Sequence, residues 1–310
     1  MEYKKFVGMV EEKLNLKLEG GMKASRYTVT KNNGKQKTGI ILDNEEYNMS
    51  PTIYLEEFFE QYQKGMSIDK IVDDILRFYE RVKVEDNYDV SKLSVYENVQ
   101  KKVVFKLINT EKNRKMLEEI PHIPMLDLSI VFYILVEVNE KGCATIQIRN
   151  EHIESWEVSV EQLYQDAKQN VKRLIPARLM CMQHMVEQFL DPSKEYESDL
   201  LKVKFPPENK DLMYILTNSI QQFGAAALIY PNILEMAARI VGEDFYLLPS
   251  SIHEVMLIPK SKSPDLNELN DMIREGNETV VEEEEILGTH AYYYEKKTHT
   301  LMMGQCLNEM

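Results

Sequence analysis

The sequence predicts an α+β protein: a mixed, mainly antiparallel sheet with packed helices, preceded by a small helix–hairpin–helix–helix module. Amphipathic stretches of helical period alternate with short β-prone segments along the chain. Neighbouring β-prone segments are joined by turns of Asn, Gly, Pro and Ser, which are typical of antiparallel pairing. Glycine and proline are sparse, with 12 and 11 among 310 residues, so long disordered linkers are not expected.

The N-terminal module, residues 1–84, begins with an amphipathic helix and a hairpin. Apolar residues recur at helical spacing from Tyr3 to Leu14, with charged residues between them. The turn residues Asn32, Asn33 and Gly34 then separate two β-prone segments, 27–30 and 40–42. This pattern predicts one helix followed by a hairpin.

Two further helices complete the predicted module. Ser50 and Pro51 are typical of a helix start, so we predict a helix over 53–63 that ends at Gly65. Ser67 is placed to cap the next helix. The aromatic residues of this helix pair favour core packing over a binding groove, because their spacing matches one buried face.

A larger α+β domain is predicted over 85–310, after a polar segment at 84–90. The strongest strand covers 128–138, and its nearly continuous apolar character indicates burial on both faces. We expect 144–148 to pair with it. Further strands are predicted at 103–108, 213–217, 225–229, 245–248, 252–258, 292–294 and 298–302.

The helices of this domain have recognisable starts. Ser159 with Gln162 matches a capping box, Pro176 is typical of the first residue of a helix reaching 190, and Ser263 precedes an acidic helix. A short helix is predicted at 110–120 and another at 231–241.

Charge is unevenly distributed along a chain whose formal net charge is −14. Residues 1–83 are neutral, residues 84–191 carry a net −4 and residues 192–310 a net −10. An acidic surface repels phosphate backbones, so we expect no nucleic-acid partner. Residues 1–42 are the exception, with nine basic and four acidic side chains, and nucleic-acid binding would require that charge to gather on one face.

Composition also bears on location and redox state. No stretch approaches the ~20 apolar residues of a membrane helix, and the N-terminus lacks the apolar core of a signal peptide. We therefore expect a cytoplasmic protein that does not bind membranes. Cys143, Cys181 and Cys306 lie far apart in the sequence, which favours reduced thiols.

Three segments carry a family resemblance: residues 50–62, residues 153–170 around the single Trp156, and residues 246–259. Together they resemble an uncharacterised protein family of gut clostridia, and the likeness covers the whole chain. The second half also resembles, more distantly, an uncharacterised family from bacilli. The resemblance implies a bacterial, cytoplasmic protein and supplies no reaction, cofactor or catalytic residue.

The segment Ser250-Ser251-Ile252-His253-Glu254 is the best local candidate for chemistry. It holds a hydroxyl, an imidazole and a carboxylate within five residues. If it were a regular strand, His253 and Glu254 would point to opposite faces and only one would line a given cavity. Ser251, His253 and Glu254 are candidates, none assigned as catalytic. The structural alternative is a serine turn in which His253 satisfies a local hydrogen bond.

Metal and cofactor motifs are absent from the sequence. The six histidines show no His-x-x-x-His or His-Glu-x-x-His spacing, and no phosphate-binding loop or Gly-x-Ser-x-Gly motif occurs. Zinc would need three or four ligands, and His253, His290 and His299 are the histidines that the predicted strand pairing could bring together. We predict no cofactor. The run from Glu282 to Glu285 favours a solvated turn or strand edge.

Two functions remain open. The first is a non-enzymatic interaction or regulatory protein that meets another protein through its basic N-terminal segment or its acidic C-terminal helix. The second is an unrecognised hydrolase or metal-dependent enzyme centred on His253, which requires a cavity where His253 meets a second imidazole or a carboxylate. The lack of catalytic motifs favours the first.

Overall fold

A computed structural model describes residues 1–43, 50–83, 93–139, 142–191, 199–203 and 212–305. The backbone divides into two compact units, Met1–Lys92 and Leu93–Met310. The boundary predicted at 84–90 lies outside the described residues. Every strand pair within the described ranges is antiparallel, which confirms the predicted α+β class.

The first unit packs three α-helices against a three-stranded antiparallel sheet whose strands are adjacent in chain order. Its buried core is made by apolar residues such as Phe6 and Val10 in the first helix, Ile40 in the sheet, and Ile71 and Ile75 in the third helix. Its elements in chain order are α1 (Tyr3–Lys17), β1 (Lys23–Thr30), β2 (Gln36–Asp43), β3 (Thr52–Tyr54), α2 (Glu56–Gln63) and α3 (Ile68–Val82).

The start of α2 differs from the prediction. Residues 52–54 pair with β2 as a third strand, so the helix predicted from residue 53 begins only at Glu56. The edge of β2 offers backbone partners that the sequence pattern around Ser50 and Pro51 did not reveal. The other predicted helix ends agree with the structure. Gly65, after α2, has φ 99°, and the Ser67 hydroxyl caps α3 by accepting the Lys70 N–H at 3.4 Å.

The second unit contains two sheets and seven α-helices within its described residues. In chain order the elements are α4 (Tyr96–Val99), β4 (Val103–Asn109), α5 (Arg114–Leu117), β5 (His122–Met125), β6 (Leu128–Asn139), β7 (Gly142–Gln147), α6 (Asn150–Trp156), α7 (Val160–Leu174), β8 (Ala177–Cys181), α8 (Met182–Leu190), β9 (Tyr214–Asn218), α9 (Ile233–Val241), β10 (Phe245–Leu248), β11 (Val255–Pro259), α10 (Leu266–Thr279), β12 (Tyr292–Glu295) and β13 (Thr300–Met303).

Strand β6 is the centre of the first sheet. It pairs with β4 along one edge and with β5 and then β7 along the other. Its residues Leu128 and Ile130 to Leu135 are buried, as the apolar run predicted. Helix α7 packs on this sheet: Asn170 donates from Nδ2 to the carbonyls of Gln100 and Val103 at 2.7 and 2.9 Å.

The second sheet has the order β13-β12-β10-β11-β9-β8. Two predictions fail near it. Residues 177–181 form strand β8 before the helix predicted from Pro176, because they pair with β9. Residues 224–229 form a 3-10 helix, not a strand. Phe223 has φ 56° and Gly224 is wedged against β9, so the backbone turns where the apolar run favoured extension.

Helix α10 covers only part of one face of this sheet. Its buried residues Leu269 and Ile273 pack with Leu248 of β10 and Ile258 of β11. Beyond the C-terminal end of α10, the same face continues over β11, β9 and β8 and borders a cavity. In the described part of the chain, no helix has both the length and the apolar character needed to span a membrane.

Candidate functional site

The predicted segment 250–254 is a loop between β10 and β11, not the beginning of a strand. Strand β11 begins at Val255, and Ser251 makes only an isolated bridge with Ile286. The alternation of strand side chains therefore does not apply to His253 and Glu254, and both line the same cavity.

A segment remote in sequence lies beside this loop. The Ile252 N–H donates to the Glu285 carbonyl at 2.8 Å, and the Leu287 N–H donates to the Ser250 carbonyl at 2.9 Å. These backbone bonds hold the end of the acidic run against the loop. They bring the Glu285 side chain to His253, where Glu285 Oε1 lies 3.2 Å from His253 Nε2.

Both ring nitrogens of His253 have partners. The Phe223 N–H donates to Nδ1 at 3.3 Å, so Nδ1 is an acceptor and the ring proton lies on Nε2, which donates to Glu285. The Phe223 ring stacks on the imidazole with centroids 5.8 Å apart and planes at 18°. The left-handed backbone of Phe223, with φ 56°, turns both its N–H and its ring toward His253.

The main chain of His253 is fixed as well. The Thr217 hydroxyl donates to the His253 carbonyl at 2.8 Å. Gly224 packs so closely that a β-carbon there would lie 2.5 Å from this carbonyl oxygen and 2.7 Å from the Asn218 nitrogen. Only glycine fits between β9 and the loop.

Ser251 is engaged and buried. Its Oγ accepts the His253 N–H at 3.0 Å and contacts the Glu254 carboxylate, and the residue is 4% exposed. Neither ring nitrogen of His253 has Ser251 as its partner. Ser251 and His253 are therefore not a serine–histidine pair arranged for nucleophilic attack.

Glu254 is the electrostatically strained member of the site. Burial raises the pKa of Glu254 above its ordinary value, and the Glu285 carboxylate adds to the rise, while His253 and the hydrogen bond with Ser251 act in the opposite direction. The site therefore holds two carboxylates that repel each other in a half-buried position.

The cavity bordered by these groups, here called the Glu254 cavity, has a volume of about 750 Å³. Met180, Ile215 and Met256 hold neighbouring register positions on β8, β9 and β11 and form an apolar floor. Ser251, His253, Glu254 and Glu285 stand at its polar end. A volume of this size and a few convergent polar groups are typical of small-molecule sites.

The C-terminal end of α10 forms the rim of the Glu254 cavity. Gly276, Val280 and Val281 line it, and Val280 is 83% exposed. An apolar side chain of that exposure beside a cavity extends the apolar surface outward.

The other candidate histidines lie elsewhere. The His290 Nδ1 is 3.1 Å from the Thr289 hydroxyl, and the His299 Nδ1 is 3.3 Å from the Tyr294 hydroxyl. His299 lines two cavities, neither of which includes His253. Among the described residues no group of three or more His, Cys, Asp or Glu is arranged to hold a metal ion.

The two described cysteines, Cys143 and Cys181, do not line the Glu254 cavity. Burial raises the pKa of Cys143 to about 11, which keeps it protonated. Cys306 lies outside the described residues.

Sequence reasoning missed Glu285, which the structure makes a partner of His253. Its run was interpreted as a solvated turn or strand edge, and Glu282 and Glu283 are indeed exposed in a turn region. The available signal was the pair Ile286 and Leu287 directly after the run, since both are buried and draw Glu285 inward.

Comparison with known proteins identifies a family whose function is unknown. A family of unknown function, DUF5688, matches residues 3–296. The resemblance to an uncharacterised family is thereby confirmed. No curated protein and no solved structure matches the chain.

Proposed function

We propose a non-enzymatic binding role for this chain, which belongs to the family of unknown function DUF5688: it binds a small organic cation in the Glu254 cavity. The ligand carries a positive charge, such as a primary ammonium, on an apolar body. The family name supplies no activity, so the proposal rests on the chemistry of the cavity.

The paired carboxylates carry the proposal. The Glu285 carboxylate adds to the raised pKa of Glu254, and an ammonium between the two carboxylates would relieve that repulsion. The described lining of the Glu254 cavity includes no Lys or Arg, and His253, which faces Glu285, is the basic group beside the two carboxylates. The charge-assisted hydrogen bonds of an ammonium with carboxylates are stronger than neutral ones.

The apolar floor selects the rest of the ligand. Met180 and Met256 have flexible, polarizable side chains that adapt to ligands of different shape. Together with Ile215 and the valines of the rim, they form an apolar surface on which the apolar part of a ligand would be buried away from water. An alkyl or aromatic amine would contact both the carboxylates and the apolar floor of the cavity, whereas an inorganic cation would contact only the carboxylates.

The hydrogen bonds of His253 favour binding over catalysis. A catalytic role for His253 requires a carboxylate beside it in a cavity, and Glu285 lies at that position. However, a histidine that acts as a base needs a second ring nitrogen free for the substrate, and the Phe223 N–H occupies it. His253 then serves to orient Glu285.

The broader regulatory role follows from the position of the rim. Helix α10 bears the acidic residues that start at Asp265, and its C-terminal end lines the Glu254 cavity. A protein partner that contacts this helix would sense whether a ligand is bound. We place the protein in the bacterial cytoplasm as part of the same proposal.

A second candidate function is acid–base hydrolysis with Glu254 as the general acid. The raised pKa of Glu254 beside a second carboxylate is the observation that favours it, because hydrolases use carboxyl pairs whose environments differ. In this reading Glu254→Gln would abolish turnover of a substrate that still binds.

Calorimetric titration with hexylamine tests the proposed binding. We expect saturable binding to the wild-type protein, and Glu254→Gln and Glu285→Gln should each weaken it roughly tenfold to a hundredfold, the effect of losing one charge-assisted hydrogen bond. Glu282→Gln is the matched control, since it removes an exposed carboxylate of the same run outside the lining.

Hexan-1-ol separates the contribution of the charge from that of the apolar body. It should bind more weakly than hexylamine and should not respond to either glutamine substitution. Equal affinities for amine and alcohol, or an unchanged affinity for hexylamine in both variants, would overturn the proposal.

A further inference from the structure

Two other cavities of the Leu93–Met310 unit meet at Glu235 and His299, and they share no lining residue with the Glu254 cavity. Most residues that line the first cavity, of about 440 Å³, are aliphatic or aromatic. Most residues that line the second, of about 430 Å³, are charged. Because both are lined by the same two residues, we treat them as one elongated site, here called the His299 site.

The charged half of the His299 site contains two basic side chains that form no ion pair among the described residues. Arg239 at the end of α9 and Lys297 in the β12–β13 turn are exposed and line this half. Within the described part of the chain, neither forms an ion pair with a carboxylate. Two unpaired cations in one cavity are notable in a chain with a net charge of −14.

One acidic group that lines this half, Asp244, is already engaged within the protein. Asp244 accepts hydrogen bonds from the Tyr293 hydroxyl at 2.6 Å and from the Lys296 N–H at 3.0 Å. Burial alone would raise the pKa of Asp244, but these bonds and the Lys260 ammonium hold it below its ordinary value. The Asp244 carboxylate thus stabilises the β12–β13 turn.

Lys296 completes the same anchor. Its ammonium donates to the Gly242 carbonyl at 2.8 Å, just beyond the end of α9. The two elements that carry Arg239 and Lys297 are therefore held together by the protein itself. Glu235 is the one carboxylate left at the junction, and the two cations outnumber it.

His299 adds an exposed imidazole at the junction. The Tyr294 hydroxyl lies 3.3 Å from His299 Nδ1. In the tautomer that carries its proton on Nε2, the ring can donate to an oxyanion. The left-handed backbone of His299, with φ 56°, belongs to the β12–β13 turn.

The apolar half of the His299 site suits the apolar part of a ligand. Leu126, Leu228, Ile229 and Leu301 line it together with tyrosines. An apolar chain or ring would be removed from water there, while its charged end reached the cations at the other side.

We propose that the His299 site binds a small organic oxyanion, a carboxylate or phosphate ester on an apolar body, with the oxyanion at Arg239, Lys297 and His299 and the body against Ile229 and Leu301. The guanidinium of Arg239 provides paired donors suited to either oxyanion. The proposal does not depend on the cation site at Glu254, which has the opposite charge.

Methyl NMR of the full chain tests this proposal, with hexanoate and hexyl phosphate as probes. At least one probe should shift the methyl signals of Ile229 and Leu301 saturably, and whichever binds more tightly identifies the preferred oxyanion. The Ile215 methyl reports on the Glu254 cavity in the same spectra and should respond to hexylamine instead. Failure of either site is therefore seen separately.

Charge-removing variants locate the oxyanion. The double variant Arg239→Gln/Lys297→Gln should weaken the probe at least roughly tenfold, as expected for the loss of charge-assisted hydrogen bonds. Lys262→Gln removes one exposed positive charge outside the lining and should leave the affinity unchanged. Absence of saturable shifts at Ile229 and Leu301 with both probes, or wild-type affinity in the double variant, would overturn the assignment.

Discussion

Gly224→Ala is expected to destabilise the second unit because there is no space for a β-carbon at this position. The added carbon would lie 2.5 Å from the His253 carbonyl oxygen and 2.7 Å from the Asn218 nitrogen, and closer still to the Thr217 hydroxyl. Two of these three neighbours are main-chain atoms, which cannot rotate away. The loop that carries His253 would have to move from β9.

The magnitude follows from those contacts. Overpacking typically costs about 1–3 kcal/mol, and contacts with main-chain atoms place this variant at the upper end. Loss of the hydrogen bond from Thr217 to the His253 carbonyl adds about 1 kcal/mol. We expect the free energy of unfolding to fall by roughly 3–4 kcal/mol.

The fluorescence of Trp156 during urea unfolding is a suitable assay, because this is the single tryptophan and it lies in the second unit. Gly276→Ala is the matched control. Its β-carbon would meet nothing within 4 Å in the interior of α10, so it should stabilise the unit by about 0.5–1 kcal/mol. If Gly224→Ala unfolds at the wild-type urea concentration, the close packing of the His253 loop is incorrect.

Three further predictions concern stability. The raised pKa of Glu254 means that the folded state favours its protonated form, so this contribution is present at low pH and is lost as the pH rises through the raised pKa. Glu254→Gln should therefore unfold like wild type below the ordinary glutamate pKa and be more stable at neutral pH; a constant difference in urea midpoint across this range would contradict the sign. Ser159→Ala removes a helix cap and should cost about 1 kcal/mol, measured by the same unfolding assay. Asn170→Ala leaves two carbonyls without their donor and should cost about 1–3 kcal/mol, and a cost no larger than that of the cap would count against its bridging role.

Local patterns predicted the elements whose partners are nearby in sequence. The hairpin around Asn33, the long strand β6 and the cap at Ser159 follow from turn chemistry, apolar runs and capping residues within a few positions. Strands β3 and β8 were missed because their extended conformation depends on a neighbouring strand. The 3-10 helix at 224–229 was missed because its turn depends on close packing of Gly224.

The candidate site was predicted to the same extent. The segment 250–254 was identified by its residue types, but the assumption of a strand separated His253 from Glu254, which both line one cavity. Glu285 was beyond local reasoning, because backbone pairing between segments more than thirty positions apart brings it to His253. The apolar floor is also a product of register, since Met180, Ile215 and Met256 come from three strands.

The proposal that Glu254 meets a cation makes a prediction about protons. An ammonium beside this carboxylate would stabilise its charged form and lower its pKa, so binding should release protons at a pH where Glu254 is partly protonated. Hexylamine itself stays protonated across this range and contributes none.

Calorimetric titration of hexylamine in two buffers of different ionisation enthalpy, repeated from pH 4.5 to 7, measures that release directly. We predict a net release of protons that is largest near the pKa of Glu254, declines as the pH rises above it and is absent in Glu254→Gln. Binding without proton release across the whole range, or the same release in Glu254→Gln as in wild type, would contradict the proposal that Glu254 holds the cation.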